Sequence, residues 1–224
     1  MPLEFTKRDL YGGAIVVSLP TDLIDASDLR QIPDHQEVFL RRNALTSIIF
    51  EINEYQTDDH ITIATTNTEP TNSASATTLT QPPDEQAATH HLTDLIQPPD
   101  YLAKSSLQTA STALSRPSLA NFLVYHTTAT IITPEVDVRA ARQSTLPVAW
   151  QSNPVQKEYE TRTLQLLVRM KEYETDFCVR IDVPLKEFDE NREGGEMETR
   201  WAEEVFQQII QTIDIKEFGL FGST

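Results

Sequence analysis

Cysteine is almost absent from this sequence, since Cys178 is the only one among 224 residues. A single thiol can form neither an intrachain disulfide nor a cluster of thiolate metal ligands. The sequence also contains no Asn-x-Ser/Thr acceptor for N-glycosylation. Because disulfides persist in oxidising compartments, their absence favours a reducing one. We therefore expect the protein in the nucleus and cytoplasm.

Positive charge is also scarce: 18 lysines and arginines stand against 34 aspartates and glutamates, for a formal net charge of −16. Such a chain repels nucleic acid and anionic lipid, and it attracts basic partners. No segment approaches the roughly 18 consecutive apolar residues of a membrane span. Residues 1–13 have neither the apolar core of a signal peptide nor an Arg-rich transit pattern. We expect a basic protein partner, and neither nucleic acid nor a membrane.

Sequence motifs of the common enzyme classes are missing too. We find no GxSxG, no HExxH and no glycine-rich loop that would cradle a phosphate. His90 and His91 are adjacent, so on a helix they point about 100° apart and cannot readily share a metal. We expect them to be surface residues, and we expect Cys178 to be a packed strand residue. The sequence thus predicts no catalytic residue, no metal site and no cofactor.

Six segments are rich in β-branched and aromatic residues, which is typical of strands. They are residues 12–20, 37–42, 45–55, 121–133, 159–170 and 176–184. Only Asn43 and Ala44 separate the second segment from the third, which predicts an antiparallel hairpin. In the last segment apolar residues alternate with Cys178, Arg180 and Asp182, so one face is predicted to be core and the other partly hydrated.

Two segments have helical periodicity. Residues 82–99 are bracketed by prolines and place Ala88, Leu92, Leu95 and Ile96 at helical spacing. Residues 196–213 form an amphipathic pattern, with a broad apolar stripe. Its members are Trp201, Ala202, Val205, Phe206, Ile209, Ile210 and Ile213.

The acidic residues of this second helix are expected to favour the positive end of the helix dipole from its first turns. They are Glu196, Glu198, Glu203 and Glu204. Strands, a helix, further strands and a last helix follow one another along the chain. This order predicts an antiparallel α+β sandwich rather than a nucleotide-binding βαβ fold.

An acidic block, defined here as residues 25–39 (DASDLRQIPDHQEVF), lies between two apolar segments. Its charged residues are Asp25, Asp28, Arg30, Asp34 and Glu37. A calcium loop does not fit, because positions 5, 6 and 12 counted from the first aspartate are leucine, arginine and glutamine. Paired carboxylates could serve acid–base chemistry. Alternatively the acids are solvated, or one of the first two, Asp25 or Asp28, caps a helical turn.

A docking surface for a protein partner is the remaining interpretation of this block. Pro33 fixes its own φ and restricts Ile32, so the segment is stiff. A rigid array of carboxylates loses little entropy on binding and presents several acceptors to lysine or arginine together. The sequence therefore indicates a preorganised surface that binds cationic groups.

Three motifs resemble those of a known family. The stretches LYGGAI (10–15), LIDASDLRQIPDHQEVF (23–39) and SIIFEINEY (47–55) resemble the Ran guanine nucleotide release factors, which are Mog-type Ran-binding proteins. The resemblance returns in YETDFCVRIDVP (173–184) and FGLFGS (218–223). It covers roughly the first 55 and the last 65 residues, in the same order. Residues 65–81, read as a mobile loop, and 134–154, read as an irregular connection, are predicted to be insertions.

The resemblance implies a six-stranded antiparallel sheet flanked by helices, as in PsbP-type proteins. It further implies a single Ran-binding domain that releases guanine nucleotide from the GTPase Ran without bond chemistry and supports nuclear protein import. We expect the protein to be a monomer. By the same resemblance, the Ran-binding acids are Asp25, Asp34 and Glu37, and Asp28 and Arg30 lie in the same block. The alternative is a PsbP-fold interaction module for another basic protein.

Overall fold

The computed structural model describes residues 3–57, 83–135 and 157–222. Eleven strands are formed in these ranges: β1 (Phe5–Leu10), β2 (Ile15–Pro20), β3 (Leu23–Asp25), β4 (Gln36–Arg41), β5 (Ser47–Glu54), β6 (Tyr101–Leu102), β7 (Gln108–Ser111), β8 (Leu123–Pro134), β9 (Glu158–Met170), β10 (Thr175–Pro184) and β11 (Asp214–Ile215). The two α-helices of these ranges are α1 (Pro83–Thr93) and α2 (Arg192–Thr212). The α+β class predicted from the sequence is confirmed.

The large sheet is antiparallel, with strand order β3-β4-β5-β10-β9-β8-β6, and β7 also pairs with β8. The predicted hairpin is confirmed as β4 and β5, with Val38 opposite Ile49 and Phe39 opposite Ile48. The predicted number of six strands is wrong, because the described residues give this sheet eight. The short strands β3, β6 and β7 have too few residues to show an alternating pattern.

A second, smaller sheet has the order β1-β2-β11 and is also antiparallel. Its β2 buries Ile15, Val17 and Leu19 against the main core. The β1–β2 connection is a tight 3-10 turn at Tyr11–Gly13. This turn brings the end of the small sheet next to β4 and β5 of the large one.

Helix α2 fills the main core with the apolar stripe predicted from its periodicity, and all seven stripe residues are buried. The helix starts at Arg192, four residues earlier than predicted. The side chain of Asn191 caps it by accepting a hydrogen bond from the backbone N–H of Gly194 at 3.0 Å. The glycine pair at 194 and 195, which disfavours helix in isolation, is tolerated because Gly195 packs closely on Phe188.

Helix α1 packs on the opposite face of the large sheet, where Ala87 and Ala88 meet Tyr125, Leu167 and Cys178. This helix covers the face of β10 that the alternation had predicted to be partly hydrated, so the thiol is buried as a packed strand residue. The predicted helix over 82–99 ends at Thr93.

The last turn of α1 carries a side-chain hydrogen bond at Thr93, and the chain beyond it leaves the predicted helical pattern. The Thr93 hydroxyl donates to the backbone carbonyls of Thr89 and His90, at 3.0 and 3.1 Å. Leu95, which the periodicity had placed on the buried face, is 44% exposed. Side-chain hydrogen bonds of this kind compete with the regular helical pattern.

A buried ionic cluster fastens α1 to the sheet. Asp176 on β10 is fully buried, and it accepts hydrogen bonds from Arg169 Nε at 3.1 Å and from the Gln56 backbone N–H at 3.0 Å. His91 Nε2 lies 2.8 Å from the same carboxylate, and Arg169 also pairs with Asp84. The prediction that His91 is a surface residue is therefore wrong, because it packs against a buried acid.

The two predicted insertions lie almost entirely outside the described residues. Residues 65–81 lie outside the described ranges, and of 134–154 only the first two residues are included. Within the described ranges, neither helix combines the length and the apolar character needed to cross a bilayer.

Candidate functional site

The acidic block lies at one edge of the large sheet. The block begins at the last residue of the edge strand β3 and ends within β4. Strand β4 pairs with β3 on one side and with β5 on the other. Between the strands, a 3-10 turn at Ala26–Asp28 is followed by backbone bonds from Leu29 and Arg30 to Ala26 O, both 3.0 Å. A second turn closes with Gln36 N–H on Pro33 O at 2.9 Å. The loop is thus anchored at both ends and hydrogen-bonded within, which agrees with the stiffness inferred from the proline.

Asp25 caps the 3-10 turn. Its Oδ1 accepts hydrogen bonds from the backbone N–H of Ser27 at 2.9 Å and from the Ser27 hydroxyl at 2.6 Å. The capping interpretation of the acids is therefore correct for Asp25. One carboxylate oxygen of Asp25 is therefore already hydrogen-bonded within this chain.

Glu37 is also engaged by its own chain. Its Oε1 accepts the backbone N–H of Tyr11 at 2.8 Å, which joins β4 to the turn of the small sheet. Among the described residues, neither Glu37 nor Asp34 is paired with an arginine. The block is therefore not neutralised from within by the guanidinium groups of the described chain.

Asp28, Arg30 and Asp34 are exposed on the loop. In the part of the chain that the structure describes, these three side chains have neither a hydrogen bond nor an ion pair. Leu29 lies among them and is 65% exposed, which is unusual for a large apolar side chain. The loop thus offers free carboxylates beside one apolar side chain.

The acidic edge extends to a residue that the sequence analysis did not select. Glu51 on β5 accepts a hydrogen bond from Gln36 Nε2 at 2.5 Å, and His35 Nε2 lies 3.8 Å from it. The alternation of β5, which turns Ile48, Phe50 and Ile52 to the core, could have placed it on the opposite face of the strand, where its side chain is 16% exposed.

Tyr11 is the second residue that the sequence analysis missed, although it lies within the LYGGAI motif. Its hydroxyl lies 3.1 Å from the carbonyl oxygen of His35 and 3.0 Å from that of Phe50. Burial, followed by the negative charges of Glu37 and Glu51, raises the pKa of this hydroxyl far above its ordinary value. The tyrosine followed by two glycines could have signalled a special turn.

Metal binding was a further possibility for so acidic an edge. Across the described residues, no group of three or more histidine, cysteine, aspartate or glutamate side chains is arranged to hold a metal ion. What the edge can do chemically is accept hydrogen bonds from cationic groups, because ionised carboxylates are acceptors only.

These elements define an α+β sandwich protein with a preorganised acidic edge. A family model described as "Ran-interacting Mog1 protein" matches residues 8–184, so the chain belongs to the Mog1 family. The resemblance read from the motifs is confirmed.

Three curated relatives match over short segments. The chain is 50% identical over 64 residues to a probable ran guanine nucleotide release factor of Dictyostelium discoideum, covering 29% of this chain and 32% of that protein. It is 50% identical over 50 residues to the Ran guanine nucleotide release factor of Danio rerio, 22% and 27% of the two chains. Nuclear import protein mog1 of Schizosaccharomyces pombe is 55% identical over 42 residues, 18% and 22%. The matches thus span about a third or less of these relatives.

Solved structures match over nearly the whole chain. The crystal structure of the Saccharomyces cerevisiae Ran-binding protein Mog1p has a TM-score of 0.56 and 17% identity, covering 99% of this chain and 100% of that one. A mutant of protein Mog1 gives a TM-score of 0.53 at 18% identity, with 98% and 100% coverage. At this level of identity the likeness establishes a shared fold.

Proposed function

We propose that this protein binds the GTPase Ran, promotes release of its guanine nucleotide and thereby supports nuclear protein import. The family model is described as Ran-interacting, and the matching relatives are named as Ran release factors or as a nuclear import protein. The observation that carries the proposal is the loop with exposed Asp28 and Asp34, held between two strands. The proposed contact region is the acidic block, with charged residues Asp25, Asp28, Arg30, Asp34 and Glu37, in which Asp28 and Asp34 carry the exposed carboxylates.

The proposed mechanism is competition for the groups that hold the nucleotide. GTPases retain nucleotide through a P-loop lysine, backbone N–H groups and a magnesium ion. A carboxylate of the acidic block that pairs with the lysine, or disturbs the magnesium site, weakens nucleotide binding. The effect on release is limited by the difference in affinity for the nucleotide-bound and nucleotide-free states. No covalent bond is made or broken, so the protein acts as a binding factor and not as an enzyme.

The charge of the whole chain assists the encounter. A formal net charge of −16 attracts a basic surface over several ångströms and raises the association rate. Added salt screens this attraction, so association with Ran slows as ionic strength rises. The chain acts as a single, monomeric Ran-binding domain in nucleus and cytoplasm, without a cofactor.

The test is the release of fluorescent GTP from Ran, comparing the native chain with Asp28→Ala and Asp34→Ala. Loss of a charge pair that becomes buried on binding costs roughly 2 kcal/mol or more, so each variant is expected to need about 30-fold more protein for the same release. Glu204→Ala is the matched control, because this acid is exposed on α2.

Two results would contradict the proposal. Native protein that fails to bind Ran at low salt would exclude the function, and a basic protein other than Ran would then be the partner. Folded Asp28→Ala and Asp34→Ala variants with native release would instead place the contact surface elsewhere on the molecule.

A further inference from the structure

Glu37 accepts a hydrogen bond from the backbone N–H of Tyr11, and a role in contacting Ran does not explain this bond. We propose that the two residues form a clasp that positions the acidic loop, and that Glu37 supports Ran binding by holding the loop rather than by its charge on Ran. This inference rests on the proposed function. Tyr11 and Glu37 are then positioning residues, and the carboxylates that meet the partner are those of the loop.

The clasp begins with an unusual backbone. Tyr11, Gly12 and Gly13 have φ values of 49°, 67° and 99°, three successive positive values. Glycine adopts such angles freely, but tyrosine does so rarely and at an energetic cost. A non-glycine residue in this region persists only where surrounding contacts hold it, and such residues concentrate at functional sites.

The contacts that hold Tyr11 join the β1–β2 turn to the large sheet. Its backbone N–H donates to Glu37 Oε1 at 2.8 Å, and its hydroxyl lies 3.1 Å from His35 O and 3.0 Å from Phe50 O. The turn between β1 and β2 is therefore hydrogen-bonded through Tyr11 to His35 at the end of the loop, to Glu37 on β4 and to Phe50 on β5. The ring also packs against the main hydrophobic core.

The hydroxyl of Tyr11 is a permanent donor in this position. Burial and the nearby carboxylates raise its pKa, so it stays protonated well above neutral pH. It has one hydrogen and two carbonyl acceptors, so the hydrogen is shared between His35 O and Phe50 O. His35 O also accepts the N–H of Ile52 at 3.0 Å, which ties the loop end to β5 a second time.

The consequence for the loop follows from chain connectivity. Asp34 directly precedes His35, whose carbonyl the clasp holds, and follows Pro33, whose φ is fixed. Both neighbours of this exposed carboxylate are thus restrained. A carboxylate on a backbone that is restrained before binding loses less entropy when a cation engages it.

Two substitutions of Glu37 distinguish its hydrogen bond to Tyr11 from its negative charge. Glu37→Gln keeps an oxygen acceptor for the Tyr11 N–H and removes the charge, whereas Glu37→Ala removes both. We expect Glu37→Ala to bind Ran about tenfold more weakly, because a hydrogen bond to a charged group is lost. The glutamine variant is expected to regain most of that loss and to stay within about threefold of native protein.

A third variant tests the hydroxyl and adds a readout that does not involve Ran. Tyr11→Phe leaves the ring and removes the two hydroxyl contacts. We expect it and Glu37→Ala to raise the hydrogen-exchange rate of the Gln36 and Ile52 amides, while Glu37→Gln leaves those rates near native. Tyr11→Phe should weaken Ran binding several-fold, in step with the exchange.

Each outcome decides the proposal. If Glu37→Gln binds Ran as poorly as Glu37→Ala, the charge itself meets the partner and the positioning role is wrong. If Tyr11→Phe changes neither exchange nor binding, the clasp does not hold the loop. If native protein does not bind Ran, the proposed function fails, and the exchange rates alone then show whether the clasp exists.

Discussion

The buried carboxylate of Glu198 should be one of the main anchors of the acidic edge, and its removal should strongly destabilise the protein. The side chain is on α2, where only 6% of the residue is exposed. It accepts hydrogen bonds from Arg41 Nη1 at 2.5 Å and from the Thr46 hydroxyl at 2.6 Å. Arg41 ends β4, the strand that leaves the acidic block, and its guanidinium also lies 4.2 Å from the centre of the Trp201 ring.

The loss of stability can be estimated from the two groups that Glu198→Ala leaves without their acceptor, the Arg41 guanidinium and the Thr46 hydroxyl. Breaking a buried ion pair costs roughly 3–5 kcal/mol because the other charge stays in place. Arg41 is partly exposed and can turn to water, which lowers this cost, but Thr46 is buried and its hydroxyl loses its acceptor, at about 1–3 kcal/mol. We expect a loss of about 3 kcal/mol in the free energy of unfolding, and a smaller loss for Glu198→Gln.

The assay is urea-induced unfolding followed by far-UV circular dichroism. The unfolding free energies are compared only if native protein and variant have the same slope of free energy against urea concentration. Glu204→Ala, an exposed acid on the same helix, serves as control and should change stability by less than about 0.5 kcal/mol. In Arg41→Ala protein, removing Glu198 as well should cost much less than it does in native protein. A loss below about 1 kcal/mol for Glu198→Ala would refute the reasoning.

Three further results are expected. Asp176→Ala should lower the free energy of unfolding in urea by about 3–5 kcal/mol, because the buried guanidinium of Arg169 loses the buried carboxylate with which it is paired. Cys178 should resist iodoacetamide until the protein unfolds, since burial, and then the charge of Asp176, raises the pKa of the thiol. Gly12→Ala should lower the thermal midpoint by an amount equivalent to about 1–2 kcal/mol, because alanine is strained at a φ of 67° although the space is open.

Each of these expectations has a contrary outcome. Asp176→Ala would count against the ionic cluster if it unfolded at the native urea concentration. Alkylation of Cys178 in folded protein at the rate of a free thiol would show that the thiol is accessible. Gly219→Ala is the control for the turn, since that glycine also faces open space but has no positive φ. Equal losses at Gly12 and Gly219 would exclude backbone strain as the cause.

The last helix and six of the strands could be predicted because their signals are local; these strands are β2, β4, β5, β8, β9 and β10. The other five strands of the described residues were not predicted. β5 turns Ile48 and Phe50 to the core, as its alternation required, and the α2 stripe is buried as its periodicity required. The boundaries were less predictable. Helix α2 begins at Arg192 because Asn191 caps it, whereas nothing in the periodicity of residues 82–99 marks the end of α1 at Thr93.

The candidate site was predictable in its position but not in the function of each acid. Five charged side chains in fifteen residues identified the block, and Asp28, Arg30 and Asp34 are exposed as a docking surface requires. Asp25 and Glu37 looked equivalent to them in sequence. In the structure, each gives one oxygen to a backbone N–H of this chain.

By itself, the sequence determined the α+β class, the core face of β5 and of α2, and the acidic block, because these depend on residue types that lie close together in the chain. Tertiary structure alone decided which acids stay free. Glu198 meets Arg41 across 157 positions, Glu37 meets the Tyr11 amide across 26, and Asp176 meets His91 across 85. A carboxylate has the same intrinsic chemistry in every case, and only the fold brings a donor to it or leaves it facing solvent.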